Sequence, residues 1–428
     1  MTDLSAPLSL PCGLTLPNRI AKAAMTEGLA DPKHRPTDRL ERLYRLWGEG
    51  GAGLLITGNV IVDRAHLERP GNVVLTPDPP KDLPAGLARW AQAGQVAGAK
   101  VLVQLSHAGR QTLARINARP VAPSPVALRL PGKLFAPPRA LAGSEIPPIV
   151  SRFVEAAKRC AEAGFDGVQV HAAHGYLISQ FLSPLSNQRT DGWGGPLHQR
   201  VRFLREVVQG IRAACPPPFA VAVKLNSADF QRGGFGETDA LSVADWLVAD
   251  GVDLIEVSGG TYEQPRMAGV EGLEPGETPL ASTVAREAYF LHFAKLLKSR
   301  VTVPVMVTGG FRTRAGMQAA LTARATDLVG LARPLVVQPD LPKHLLDGAR
   351  EAALDVDRRL RLGPGQWLGP ASPVAGIKMA NVFGAQGWYC QQIRRLAMGQ
   401  QVNLKMPLWR ALLDYQRDEA QALKALSR

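Results

Sequence analysis

The sequence is poor in cysteine and aromatic residues, and it has no long apolar run. Its four cysteines, Cys12, Cys160, Cys215 and Cys390, lie far apart without a C-x-x-C pair. That excludes a disulfide framework and offers no spacing for a zinc or iron–sulfur centre, so no metal site is expected. No stretch reaches the roughly eighteen uncharged apolar residues of a membrane span. The opening "MTDLSAPLSLPCGL" lacks the basic start and apolar core of a secretory leader. A cytoplasmic protein with no membrane partner is the expectation.

Acidic residues are also scarce: Lys and Arg number 50 against 37 Asp and Glu, a formal charge of +13. The basic residues are spread along the chain, with no basic tail and no interleaved aromatics, which argues against a nucleic-acid partner and for a surface that attracts small phosphorylated ligands. What is present is ordinary globular material. With 46% hydrophobic and 20% charged residues in 428 positions, the chain is long enough for one large α/β domain and an extension.

Eight short apolar runs recur: "RIAKAAM" to Met25, "GLLITGNV" to Val60, "KVLVQL" to Leu105, "GVQVH" to His171, "AVAVKLN" to Asn226, "LIEVSG" to Gly259, "PVMVTGG" to Gly310 and "LVGLAR" to Arg333. Nearly continuous runs of this kind suit strands covered on both faces. Segments between them read as helices, such as "IVSRFVEAAKRCAEAG", closed by Gly164. Eight alternations without G-x-G-x-x-G after the first strand predict a (β/α)8 TIM barrel, an α/β fold, rather than an open doubly wound sheet.

Such barrels carry their chemistry at the carboxyl ends of the strands. Standing there are Thr26, Asn59, Gln104 with His107, the group His171, His174 and Tyr176, then Lys224, Ser258, Gly309 with Gly310, and Arg333. Two imidazoles and a phenol crowded onto one strand exit are more than core packing asks for, and mark that exit as a candidate site. Gly309, Gly310 and Arg333 read as an anion cradle, since backbone N–H groups beside helix starts and a guanidinium bind phosphate. Gln104 can donate and accept at once, which suits a heterocycle with an N–H beside a carbonyl, such as a flavin pyrimidine ring, and Lys224 can supply positive charge near an oxygen that becomes anionic on reduction.

Long inserts follow the third strand, His107 to Pro148, and the sixth, from Gly259 onward, and are expected to fold over the mouth as lids. Residues 1–345 are read as the barrel and 346–428 as a helical, loop-rich extension. Its Trp367, Phe383, Trp388 and Tyr389 could pack on the barrel, meet a second subunit or reach the site.

From Asn18 to about Leu341 the chain resembles the Old Yellow Enzyme family of FMN-dependent NAD(P)H oxidoreductases, or ene-reductases. The resemblance rests on "PNRIAKAAMTEG", "VQLSHAGRQ", "EAGFDGVQVHAAHGYLISQFLSPLSNQRTDGWGG", "VKLNSAD", "VTGGF" and "DLVGLARPLVVQPDL". It implies FMN as cofactor, with NADH or NADPH as hydride donor. Thr26 would bond the flavin near O4, Ala24, Met25 and Asn59 would meet it through backbone, and Gln104 would face the pyrimidine edge. Gly309, Gly310, Ala332 and Arg333 would hold the phosphate. His171 and His174 would bind the oxygen of an activated alkene (an enone, enal or nitroalkene), and Tyr176 would supply the proton.

Lys224 stands where the family usually has arginine, Trp193 where tyrosine is common, Ser106 where some members have tryptophan, and Ala24 where proline is frequent. The chain lacks the cysteine cluster and added dinucleotide domains of larger relatives, so electrons are expected directly from NAD(P)H; Arg110, Arg115 and Arg139 of the first insert favour NADPH. A homodimer is a further family-level expectation. Other acceptors (a quinone, a nitro compound, oxygen) also fit a flat site over a flavin. A tRNA dihydrouridine synthase would want a cysteine at the mouth, which no strand end offers, and a non-catalytic flavin-binding protein would not need both histidines and the tyrosine.

Overall fold

The computed structural model describes residues 3–130, 133–260 and 282–426. Eight parallel strands close into a barrel: β1 (Ile20–Lys22), β2 (Leu54–Ile56), β3 (Lys100–Ser106), β4 (Gly167–Ala172), β5 (Ala220–Asn226), β6 (Leu254–Ser258), β7 (Val305–Thr308) and β8 (Leu328–Leu331). Each pairs with the next, and β8 returns to β1 through Gly330 opposite Ala21. Several strands stop earlier than their apolar runs: β1 ends at Lys22, not Met25, and β8 at Leu331, not Arg333.

The period of two explains why strands with nearly continuous apolar runs build two cores. Val101, Val103 and Leu105, with Val168, Val170, Val221 and Val223, face outward to the helices. Their alternates Leu54, Ile56, Leu102, Ala222, Leu254, Met306 and Leu328 fill the barrel, closed at the amino-terminal end by Leu8, Leu10, Leu14 and Leu16 of a short hairpin. Strand β8 approaches β7 closely because position 330 is glycine. A Cβ there would lie 2.1 Å from Thr308 Oγ1. Gly330→Ala is therefore expected to cost about 1–3 kcal/mol by overpacking, visible as a lower urea midpoint; an unchanged midpoint would mean that the two strands can separate freely.

Helices cover the outer wall, among them α1 (Asp38–Glu49), α2 (Leu83–Gly94), α3 (Ile146–Glu162), α4 (Arg202–Ala214), α5 (Glu237–Ala249), α6 (Ser282–Lys298) and α7 (Arg314–Thr322). In α3, prolines at the first turn leave no N–H unsatisfied. A stripe of Ile146, Ile149, Phe153, Ala156, Ala157 and Cys160 is buried, and Gly164 takes a left-handed φ of 85° just past the end. Phe153 meets Phe203 of α4 edge-on at 6.3 Å. Because α3 starts at Ile146, the first insert is shorter than its proline content implied. Within it Val121–Ala122 pairs with Arg139–Ala140. Most of the second insert lies outside the described residues.

Beyond the barrel, α8 (Ala375–Ala397) and α9 (Leu408–Leu426) form an antiparallel hairpin. Trp388 is buried in the main core, and Arg42 of α1 donates to Ala397 O at 2.7 Å. Trp388 and Tyr389 thus pack on the barrel, whereas Trp367 and Phe383 are exposed. No described helix is long and apolar enough to cross a membrane.

Candidate active site

Inward-facing positions change from apolar to polar towards the carboxyl ends of the strands. One layer consists of Gln104, Gln169, Lys224, Glu256 and Thr308, linked in a chain. Gln104 Nε2 donates to Gln169 Oε1 at 2.7 Å and Gln169 Nε2 to Glu256 Oε2 at 2.7 Å. Glu256 Oε1 also accepts from Thr308 Oγ1 at 2.7 Å and pairs with Lys224 Nζ at 3.1 Å. Register makes this possible, since Lys224 lies directly opposite Glu256 on one side and His171 on the other. A fully buried carboxylate survives because these donors replace its water.

His171, opposite Lys224, borders this layer, and Asn226 and Ser258 stand opposite each other one step nearer the mouth. His171 Nδ1 accepts from Ala173 N at 3.2 Å, which leaves the ring proton on Nε2. His174 sits in the left-handed region at φ 60°, its N–H held by Asn226 Oδ1 at 3.2 Å, and its Nε2 lies 2.6 Å from Ser258 Oγ. The His171 ring lies 5.0 Å from His174 and 4.8 Å from Tyr176, both edge-on. The three residues expected to act together are therefore clustered. Burial, with Lys224 nearby, pushes His174 down to about 3; burial, then His174 and Lys224, push His171 well below the usual imidazole value. Both rings are neutral at pH 7.

The loop after β1 carries Ala24, Met25 and Thr26, each partly buried. Glu27 fastens it: Oε1 accepts from Tyr44 Oη at 2.5 Å and Gly58 N at 3.1 Å, and lies 3.7 Å from the buried Lys22 Nζ. That ties the β1 and β2 exits together and brings Asn59 beside Thr26. Across the mouth, Gly309 and Gly310 adopt φ of 106° and 79°, backbone that a Cβ would strain. Ala332 and Arg333 follow β8. Arg333 Nη1 binds Asp357 Oδ1 at 3.2 Å, and Asp357 also pairs with Arg312 and accepts from Tyr389 Oη at 2.6 Å. Two guanidiniums share one carboxylate there, so the corner keeps positive charge for an anion.

Sequence reasoning overlooked Gln169 and Glu256, although polar residues inside "VQVH" and "LIEVS" at inward positions were a usable signal. It also missed the partners of His107. The buried His107 stacks on His66 at 4.5 Å, and both face Asp63, which Arg152 also binds at 2.5 Å. The three ligand-type side chains are close enough for a cation, yet the protons are placed against one. His66 Nε2 accepts from Val121 N and His107 Nδ1 from Gly109 N, each at 3.1 Å. The nitrogens aimed at Asp63 must then carry hydrogen: His66 Nδ1 donates to Oδ2 at 3.1 Å, and His107 Nε2 lies 3.5 Å from the same oxygen. The cluster pins the start of the first insert.

Burial lowers His107 to about 4, which adds it to His171 and His174 as groups that stay neutral in the fold. Below pH 6.5 the unfolded chain takes up protons that the folded chain refuses, so stability is full above pH 6.5 and falls towards pH 4. Each group contributes about 1.4 kcal/mol per pH unit in that window. The urea midpoint is expected to drop steadily between pH 6.5 and 4.5, with a shallower slope in His107→Gln. A flat profile would contradict the buried, neutral rings.

The donor set fits a flavin nucleotide. Gln104 and Lys224 stand on the inner wall, a glycine and arginine corner follows the last two strands, and Asn59 Oδ1 and Ser106 Oγ are buried without a partner among the described residues. Fold and mouth together define a class, the FMN-dependent oxidoreductases built on a (β/α)8 barrel. The chain belongs to the NADH:flavin oxidoreductase / NADH oxidase family, whose model matches residues 3–351. It is 40% identical over 364 residues to "NADH-dependent flavin oxidoreductase iliE" of Neonectria sp. (strain DH2), covering 80% of this chain and about half, 47%, of that relative. Against the protein of the same description from Hypocrea jecorina (strain QM6a) it is 38% identical over 361 residues, with 80% of this chain and 88% of the relative covered. Among solved structures it resembles the old yellow enzyme homologue from Zymomonas mobilis, with TM-score 0.68, 25% identity, and 82% and 94% of the two chains covered.

Proposed function

We propose that the protein reduces the C=C bond of small activated alkenes (enones, enals and nitroalkenes) at the expense of NADH. The observation that carries this reading is the neutral His171 and His174 pair with the Tyr176 phenol edge-on at 4.8 Å. When bound, FMN supplies hydride transfer from the nicotinamide to the acceptor. Ala24, Met25, Thr26, Gln104, Lys224 and the backbone of Asn59 would hold its ring, and Gly309, Gly310, Ala332 and Arg333 its phosphate. His171 and His174 donate to the acceptor oxygen, where charge grows as hydride reaches the β-carbon; one such donor is typically worth ~3 kcal/mol. Tyr176 then protonates the α-carbon, since a phenol with pKa of about 10 stays protonated at pH 7 and is still acidic enough to give its proton up.

The relatives' description as NADH-dependent favours NADH. So do two of the three arginines that pointed to NADPH: Arg139 is paired with Glu145 at 2.7 Å, and Arg110 is buried, donating to Val126 O at 3.1 Å. In this reading residues 1–345 form the catalytic barrel and 346–428 an extension packed on it. The test is anaerobic: the flavin-loaded protein is reduced with NADH and mixed with 2-cyclohexenone. Return of the oxidised flavin absorbance supports alkene reduction, and absence of return, with the flavin reducible, would assign the barrel another acceptor.

A further inference from the structure

Asn59 does more than border the flavin loop. Its side chain is turned towards Tyr176, with Nδ2 3.4 Å from Tyr176 Oη and 3.5 Å from Thr26 Oγ1. An amide end can face either way, and Glu68 decides which. Asn72 Nδ2 donates to Glu68 Oε2 at 3.4 Å, and Thr26 and Asn59 face the same carboxyl group, whose pKa burial raises while these donors favour its ionised form. In its ionised form Glu68 accepts only, which matches the NH2 end of Asn59 that lies beside Tyr176 Oη and Thr26 Oγ1. The backbone is held as well, because Asn72 Nδ2 donates to Asn59 O at 3.1 Å. Tyr176 Oη thus receives an N–H through a lone pair, and its own proton points away from Asn59.

We propose that Asn59 is a further catalytic residue: its amide donates to the Tyr176 oxygen, aims the phenol proton at the acceptor, and stabilises the phenolate left behind, while Glu68 is the positioning residue that fixes the amide. This rests on Tyr176 as the proton donor. In the step, the Tyr176 O–H bond breaks as a C–H bond forms at the α-carbon. The enolate electron pair makes the new bond, the O–H pair stays on the phenol oxygen, and solvent water re-protonates it. A contact of 3.4 Å is weak to a neutral phenol and strengthens as negative charge grows on the oxygen, so its contribution falls mainly on the transition state.

Stopped-flow measurement of both half-reactions on the flavin-loaded protein tests this, with 2-cyclohexenone as acceptor. Asn59→Leu is expected to slow reoxidation ~10-fold, well beyond any change in reduction by NADH, so that the ratio of the two rates shifts. The Tyr176 phenol, followed by tyrosinate absorbance against Tyr176→Phe, should titrate higher. Asn59→Asp, nearly isosteric, should slow reoxidation further by placing a carboxylate against the phenolate, and it decides the matter if Asn59→Leu loses its flavin. Glu68→Gln should fall between wild type and Asn59→Leu. Wild-type reoxidation and an unmoved phenol in the Asn59 variants, with Tyr176→Phe slow, would overturn the role of Asn59 and leave that of Tyr176 intact. Equal slowing of both half-reactions would reduce Asn59 to a structural part and overturn the proposal too. If Tyr176→Phe itself reoxidises at the wild-type rate, the proton-donor reading fails first and this proposal falls with it.

Discussion

Tyr176→Phe is expected to leave reduction by NADH unchanged and to slow reoxidation by 2-cyclohexenone by ~10²-fold. The substitution removes one oxygen and keeps the ring, which is buried and edge-on to His171. Packing around β4 is thus retained, and a change confined to one half-reaction reports on the proton. The two imidazoles proposed to bind the acceptor oxygen are untouched, so binding should weaken little. If both half-reactions keep their wild-type rates, the proton comes from another group or from water, and the phenol is a wall of the pocket.

Lys224→Met should destabilise the folded protein by about 3–5 kcal/mol, because it strands the buried Glu256 carboxylate without its cation. Two hydrogen bonds remain, from Gln169 and Thr308, and they do not neutralise a charge inside a barrel. Lys224→Arg keeps the charge on a bulkier, planar head group and should recover much of the loss. The measurement is urea unfolding at pH 7. An unchanged midpoint in Lys224→Met would mean that Glu256 takes up a proton at little cost, and the inner layer would then be far less dependent on its ion pair than its geometry implies.

Much of this was legible in the sequence because a strand alternates its faces. Once "GVQVHA" is a barrel strand, Gln169 and His171 must face inward together, and the same rule places Lys224 with Asn226. Eight apolar runs in order were enough for the barrel, and the glycine pair after the seventh was enough for a tight corner there. What could not be read was approach between distant segments. Asn59 and Tyr176 are 117 positions apart, and no spacing rule brings an amide of one strand exit to a phenol of another. Arg333 was visible as a strand-end cation, but its carboxylate lies 24 residues on, in the short 3-10 turn Asp357–Arg359. Pro147 and Pro148 misled the boundary of the first insert: they read as loop, whereas at the first turn of α3 a missing N–H costs nothing.

Asp357 holds Arg312 and Arg333 on one side and Tyr389 of α8 on the other. Those contacts make the carboxylate a set-screw between the C-terminal helices and the corner proposed to grip the phosphate. Sequence drift in the extension can therefore retune how firmly the nucleotide is gripped while every barrel strand stays as it is, a route to new properties that bypasses the reacting atoms.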